Sequence, residues 1–425
     1  MSKSPPIDPY NGNRLTAGLG PLRSREEVLV HLKELPKRPQ TLAGVAPHIR
    51  LHMLMSLRNL HLPSHEECCL HESIELMTRQ NYSYLDPARA STWSIVGGEE
   101  PSKPKLPRAP AFGAAVEGHS GTGKTEAILR CLNSYPQQVI HHETFPQLEG
   151  PHKQVVWLSV DVPASGRTAD LAASLMLAWE AATHSGRFTA SLARERRDGM
   201  RMLEEWRQVA SAHFLGVLHL DEVQNFFKLA TLKRRKKSGD ADASDAPLLS
   251  IVEDQALKWI LTLINTWQVP VLLSGTPDGI GALTRRLSNT ERIVTSGYHP
   301  FHPFHSATDP AFRNTFLVVL GRYQYVEKKL PVDNALAEII IELTGGIQRL
   351  IIALWIAAHR IAFERKTDDL RLTDFQLAAA TYLSPVLPAV AALRSRDPKR
   401  MSQYEDLLPR EGAFWTQFWS SISRD

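Results

Sequence analysis

The octapeptide GHSGTGKT, residues 118 to 125, limits the folds open to this chain more than any other stretch. It satisfies the spacing G-x-x-x-x-G-K-[ST] at every position. The apolar run AFGAAVE precedes it, and EAILRCL follows with apolar residues at helical intervals. A strand, a glycine-rich loop and a helix in that order make a cradle for phosphate. Gly118, Gly121 and Gly123 let the backbone turn its N–H groups inward, and the helix N-terminus adds the positive end of its dipole. Lys124 is placed to reach the outer phosphates, and the Thr125 hydroxyl to ligate Mg2+.

The runs VVWLSVDV (155–162), FLGVLHLD (214–221) and VPVLLSGT (269–276) are further apolar strands. Helical stretches such as LAASLMLAWEAATH and LLSIVEDQALKWILTLINTW separate them. Continuous apolar strands alternating with helices predict an α/β fold, a parallel sheet with helices on both faces. Residues 1–96 read as a helical N-terminal extension after a loose start. Ser24 stands at a capping position with Glu27 three residues on, and PSHEECCLHESIELMTRQ repeats a capped amphipathic pattern. The Gly/Pro/charge stretch GGEEPSKPKLPRAP (97–110) opens a nucleotide-binding domain at 97–305. A helical bundle at 306–384 follows, with AEIIIEL, a GG break and IQRLIIALWIAAHRIAF, and then a tail at 385–425. That tail ends near FWTQFW, too aromatic for a simple solvated end.

The strand HFLGVLHLDEVQNF ends in two carboxylates at the end of the sheet where the phosphates lie. Asp221 would hold Mg2+ and Glu222 would polarise the attacking water, so hydrolysis of a bound nucleotide is expected. In VPVLLSGTPDG, Ser274 and Thr276 end the next strand, where a hydroxyl could sense the γ-phosphate or the segment could simply make the turn. Arg285, Arg286 and Arg292 in TRRLSNTER offer charge for a phosphoryl group on a neighbouring subunit, or a solvated helix face. Arg349 lies near the start of an otherwise apolar helix and needs a partner, either the phosphates or solvent.

Lys plus Arg total 49 against 45 Asp plus Glu, so any affinity for nucleic acid must come from a local patch. KLATLKRRKKSGDADASDAP supplies one candidate. Its Lys228, Lys233, Arg234, Arg235, Lys236 and Lys237 suit contact with a phosphate backbone without base reading, or a solvated insertion. Phe226 and Phe227 beside it read as core. His299, His302 and His305 recur every third residue in YHPFHPFH, but the intervening prolines prevent a helix from aligning the imidazoles. A stiff connector into the bundle is expected there instead of a metal site. Cys68, Cys69 and Cys131 have no metal spacing, which fits a reduced compartment. The start has no apolar signal core, and LIIALWIAA is about half a bilayer span. The expectation is a cytoplasmic protein without a membrane partner.

The ordered set GHSGTGKT, LHLDEVQN, VLLSGTPDG and GGIQRL resembles that of the AAA+ ATPases, whose last element lies in a helical lid. Within that superfamily the chain is most similar to the TnsC/TniB group. These are ATPase regulators of target-selecting, Tn-seven-like DNA transposons, including CRISPR-associated ones. DEVQN, SGTPDG and the closing LTDFQLAAATYLSPVLPAVAALRSRDP carry that likeness, together with RLHMLMSLRNLHLPSHEECCLHESIELMTRQNYSYLDP near the front.

The resemblance implies ATP and Mg2+ bound by Lys124, Thr125, Asp221 and Glu222, with Ser120, Thr122 and Glu126 beside them in the loop. It implies Thr276 as a sensor, Arg349 as the lid arginine, and Arg286 or Arg292 acting on a neighbour's nucleotide. It also implies a homo-oligomer, a ring or helical filament, on double-stranded DNA. That oligomer would link a target-selection protein (TniQ/TnsD-like) to the transposase (TnsA/TnsB-like), and hydrolysis would drive disassembly. FWTQFW would dock on the transposase or pack on its own domain. Two other readings share the ATPase body. One is a replication initiator or helicase loader, for whose usual DNA reader residues 385–425 look too short and Pro-broken. The other is a signalling or defence NTPase that binds protein only.

Overall fold

The computed structural model describes residues 8–39, 42, 44–97, 112–194, 198–229, 249–251, 254–283 and 291–395. Lys233, Arg234, Arg235, Lys236 and Lys237, Arg285 and Arg286, and the FWTQFW tail lie outside these described residues.

Five parallel strands form the central sheet: β1 (Gly113–Gly118), β4 (Trp157–Asp161), β5 (Val217–Asp221), β8 (Val271–Gly275) and β9 (Gly297–Phe301), in the spatial order β4-β5-β8-β1-β9. Two antiparallel pairs stand apart from it, β2 (Val139–His142) with β3 (His152–Val155) and β6 (Phe227–Leu229) with β7 (Leu249–Ile251). Parallel strands need crossover connections, so helices cover both faces and the strands are apolar on both. On one face Leu218, Leu220 and Leu273 meet Leu171, Trp206 and Ile260 from helices Thr168–Thr183, Gly199–Ala212 and Asp254–Asn265. Phe226 and Phe227 are buried in the same cluster. The sequence therefore placed four of the five strands, and the α/β class is the observed one.

The fifth strand is a correction. YHPFHPFH was expected to be a connector, yet its first four residues complete β9 against β1. An edge strand pairs on one side only, which is where a sheet tolerates Pro300. His299 is buried and bonded to Glu66 Oε1 at 2.7 Å and Ser73 Oγ at 3.0 Å. Among the described residues no group of three metal-ligating side chains comes together.

The front of the chain divides between two cores. Helix α1 (Arg25–Leu32) opens with a reciprocal cap: Glu27 N–H donates to Ser24 Oγ at 3.3 Å and Ser24 N–H to Glu27 Oε2 at 2.7 Å. Helix α2 (Pro47–Leu54) follows, then α3 (His65–Tyr84), capped by Ser64, which accepts from Glu67 N–H at 3.1 Å, and then α4 (Ala90–Val96). Leu70, Ile74 and Met77 of α3 share a cluster with Val116, Leu272 and Ile128, so α3 roofs the second sheet face. Leu54 and Leu57 instead enter the core of the helical bundle, beside Leu354, Trp355 and Phe375. Arg50 secures that docking, donating to Tyr325 O at 3.0 Å and to the Asp368 carboxylate at 2.8 Å.

The bundle contains helices Asn334–Thr344, Gln348–Phe363, Leu372–Thr381 and Leu387–Ser395. Its GG break is a steric necessity: Gly345 and Gly346 have φ of 61° and 76°, and a Cβ on Gly346 would lie 2.0 Å from Phe304 O. Among the described residues no single helix is long and apolar enough to cross a membrane.

Candidate nucleotide site

The loop after β1 turns through Gly121 and Gly123, whose φ values of 86° and 92° belong to the left-handed region. Helix α5 (Lys124–Leu132) starts at once, so the loop N–H groups and the helix N-terminus meet. Lys124 Nζ folds over the loop, donating to Gly118 O at 2.7 Å and His119 O at 3.3 Å. Thr122 Oγ1 donates to His119 O at 2.8 Å. Ser120 is half-buried in the same loop. Burial, and then the Lys124 charge, push the His119 imidazole below its usual range, so it is neutral at neutral pH. Glu126, exposed in the first turn of α5, accepts from Arg130 at 2.7 Å, and Arg130 also reaches Glu34 at 2.9 Å.

Strand β5 delivers its acidic pair beside this loop. Thr125 Oγ1 donates to Asp221 Oδ2 at 2.6 Å, while Asp221 Oδ1 accepts from the Ser274 hydroxyl at 2.5 Å and from Glu222 N–H at 2.8 Å. Burial by itself would raise the Asp221 carboxyl, but His219 and these three donors outweigh it and hold the group below the usual carboxylate range. Asp221 is therefore an anion at neutral pH. Its pairing with a hydroxyl at the phosphate loop is an all-oxygen donor set of the kind Mg2+ takes.

Glu222 has a left-handed backbone, φ 59°, and its carboxylate accepts from Gln224 Nε2. Gln224 Oε1 in turn accepts from Thr276 N–H at 3.2 Å, so one amide joins the second acidic residue to the end of β8. Ser274 and Thr276 of SGTPDG make different contacts. Ser274 bonds Asp221, whereas the Thr276 carbonyl accepts from Ile280 N–H at 3.0 Å and starts the helix Pro277–Leu283.

The family model of the AAA domain matches residues 113–283, from β1 through the loop, the acidic pair and Ser274 to the end of that helix. These residues form an AAA domain. With it the chain has the machinery of a generic AAA+ ATPase, a nucleotide-binding and nucleotide-hydrolysing domain. No curated protein matches the chain.

Outside the AAA domain, other parts of the chain also come to the loop. Arg349 N–H donates to Gly121 O at 3.3 Å, which sets the first turn of Gln348–Phe363 against the phosphate loop. A cavity of about 400 Å³ opens there. Gly121, Thr122 and Gly123 form one wall, Gln348, Arg349 and Ile352 a second, and the segment Met55 to Glu67, with Arg58 and His61, a third. His61 Nε2 lies 2.9 Å from Glu67 Oε1. The volume is that of a small-ligand site. The sequence alone assigned no site role to the third wall, because Arg58 in a short 3-10 helix, His61 in a bridge to Glu34 and Glu67 in a capped first turn each have an ordinary structural place.

Arg292 is elsewhere. It is exposed, and its carbonyl lies against Gly113, at the opposite end of β1 from the phosphate loop of its own chain.

Proposed function

We propose that this chain is an ATP-dependent regulator of DNA transposition. In this reading it assembles in the cytoplasm as a homo-oligomeric ring or helical filament on double-stranded DNA, links a target-selection protein to the transposase, and leaves as ATP is hydrolysed. The observation that carries a switch of this kind is the cavity whose walls come from the front segment, the AAA domain and the helical bundle. A nucleotide there touches three parts at once, so it favours one arrangement of them over others, as a ligand that drives assembly must. The transposition reading is supported by DEVQN, SGTPDG, the closing LTDFQLAAATYLSPVLPAVAALRSRDP and the front stretch RLHMLMSLRNLHLPSHEECCLHESIELMTRQNYSYLDP, and by the basic segment Lys233 to Lys237.

Lys124 and the loop N–H groups bind the β- and γ-phosphates. Thr125 and Asp221, already in contact at 2.6 Å, fit Mg2+ and would hold it. When bound, the cation neutralises charge on the phosphate oxygens. Glu222 orients the attacking water and accepts its proton at the carboxylate, which Gln224 keeps in place. Arg349 contacts the nucleotide from the bundle side, Thr276 senses the γ-phosphate, and Arg292 or Arg286 reaches the nucleotide of a neighbouring copy. Lys233, Arg234, Arg235, Lys236 and Lys237 contact the DNA backbone.

The test compares particle size and retention on duplex DNA with Mg-ATP, Mg-ADP and no nucleotide, for the wild type, Lys124→Ala and Glu222→Gln. Assembly on duplex that needs ATP, fails in Lys124→Ala and persists longer in Glu222→Gln is the expected result. A nucleotide-bound protein indifferent to DNA under every condition would sink the transposition reading.

A further inference from the structure

Beneath α5 the sheet carries a row of polar side chains where its neighbours are apolar. His219 precedes Asp221 by two residues on β5, so both project from the same face, the one that also holds Val217 and Leu272. Ser159 is the register partner of His219 on β4, and Ser274 lies on β8. Ser159 Oγ is 2.8 Å from His219 Nδ1, and His219 Nε2 is 2.8 Å from Ser274 Oγ. Ser274 Oγ is 2.5 Å from Asp221 Oδ1. His219 and Ser274 are both 0% exposed.

Counting donors fixes the direction of every bond. An ionised carboxylate only accepts, so Ser274 gives its single proton to Asp221. The Ser274 oxygen must then accept from His219 Nε2–H, which leaves Nδ1 as the acceptor for the Ser159 hydroxyl. A single tautomer satisfies the whole row. Buried polar groups are unfavourable in a sheet interior unless every one is bonded, and a leucine at 219 would continue the apolar face without that demand. The row crosses three strands and ends on Asp221, whose other oxygen faces Thr125.

We infer that Ser159, His219 and Ser274 are positioning residues, a relay that stops the Asp221 carboxylate from rotating and keeps Oδ2 beside the Thr125 hydroxyl. This inference rests on the reading of Thr125 and Asp221 as the pair that holds Mg2+. The relay sets how readily the site takes its cation and has little part in binding the nucleoside.

The experiment titrates Mg2+ into full-length protein with a fluorescent ATP analogue, for wild type, His219→Leu, His219→Gln, Ser274→Ala and Lys124→Ala. Steady-state ATPase kinetics and melting temperatures are measured alongside. Binding by the wild type that strengthens with Mg2+ and disappears in Lys124→Ala secures the underlying site; its absence would refute that site reading itself. Given the site, His219→Leu and Ser274→Ala should need about tenfold more Mg2+ for half-saturation, the usual scale for removing a group that orients a metal ligand. Their kcat should fall while KM for ATP stays within about twofold. His219→Gln, whose side-chain N–H can still donate to Ser274, should recover most of the loss. Unchanged Mg2+ half-saturation in folded His219→Leu and Ser274→Ala would overturn the relay. Should His219→Leu not fold, Ser274→Ala, which removes one atom, decides alone. The 15N spectrum of His219 gives an answer independent of nucleotide: the Nε2–H tautomer is expected, and the Nδ1–H tautomer would overturn the relay.

Discussion

Gln224 shows how one side chain can join two jobs. Its N–H group holds the Glu222 carboxylate and its oxygen takes the Thr276 N–H, so the residue expected to act on water is tied to the end of the neighbouring strand. Gln224→Leu removes both contacts at similar volume and should lower kcat by about tenfold or more, with equilibrium nucleotide binding nearly unchanged. Steady-state kinetics beside a binding titration check this, and a parallel loss of affinity would mean that the amide also supports the loop. At this scale the phosphate loop and the acidic pair were legible because each is a local pattern whose residues must be neighbours in sequence. Gln224 and His219 were not legible. An amide or imidazole acquires its role from the strand that arrives beside it, and LHLD gives no hint that Ser159 and Ser274 flank the histidine.

Among the elements, the bundle helix Gln348–Phe363 carries a latent sensitivity to acid. His359 is fully buried, its Nδ1–H donates to Trp355 O at 2.8 Å, and its Nε2 has no hydrogen-bond partner among the described residues. Burial pushes its pKa down from 6.5 to about 4. The unfolded chain therefore takes up the proton first as pH falls, so stability present above about pH 6.5 drains away toward pH 4, by roughly 3 kcal/mol from this group. His359→Leu should flatten that part of the pH dependence, read as a smaller drop in melting temperature between neutral pH and about pH 5. A capping change bears on α3: Ser64→Ala should cost about 1 kcal/mol in denaturant unfolding, since Glu67 N–H loses its acceptor. The buried strands were readable as unbroken apolar runs, because a sheet covered on both faces leaves no polar side. β9 hid behind its prolines, and the short β2 and β3, VIHH and HKQV, are too polar to announce a pairing that only their antiparallel register reveals.

Over the whole molecule, Arg50 helps tie the front segment to the bundle, with side-chain exposure of 7% against 18% for Asp368. Arg50→Ala strands a largely buried carboxylate and should cost about 3–5 kcal/mol in chemical unfolding. The segment just beyond α2 walls the cavity beside the phosphate loop, so on the proposed reading the same variant should also bind nucleotide more weakly, a coupling that an isolated surface ion pair would not produce. A boundary drawn along the chain cannot show such ties, because they join residues that only the finished fold makes neighbours. The strand order carries one more consequence, and it concerns time. β1 is made before the other strands of the sheet, but its neighbours there are β8 and β9, the last of the described strands to be made. The β4–β5 pair can form while the phosphate loop still waits on an unpartnered strand, so during translation the loop gains both its sheet neighbours only after residue 301 has left the ribosome.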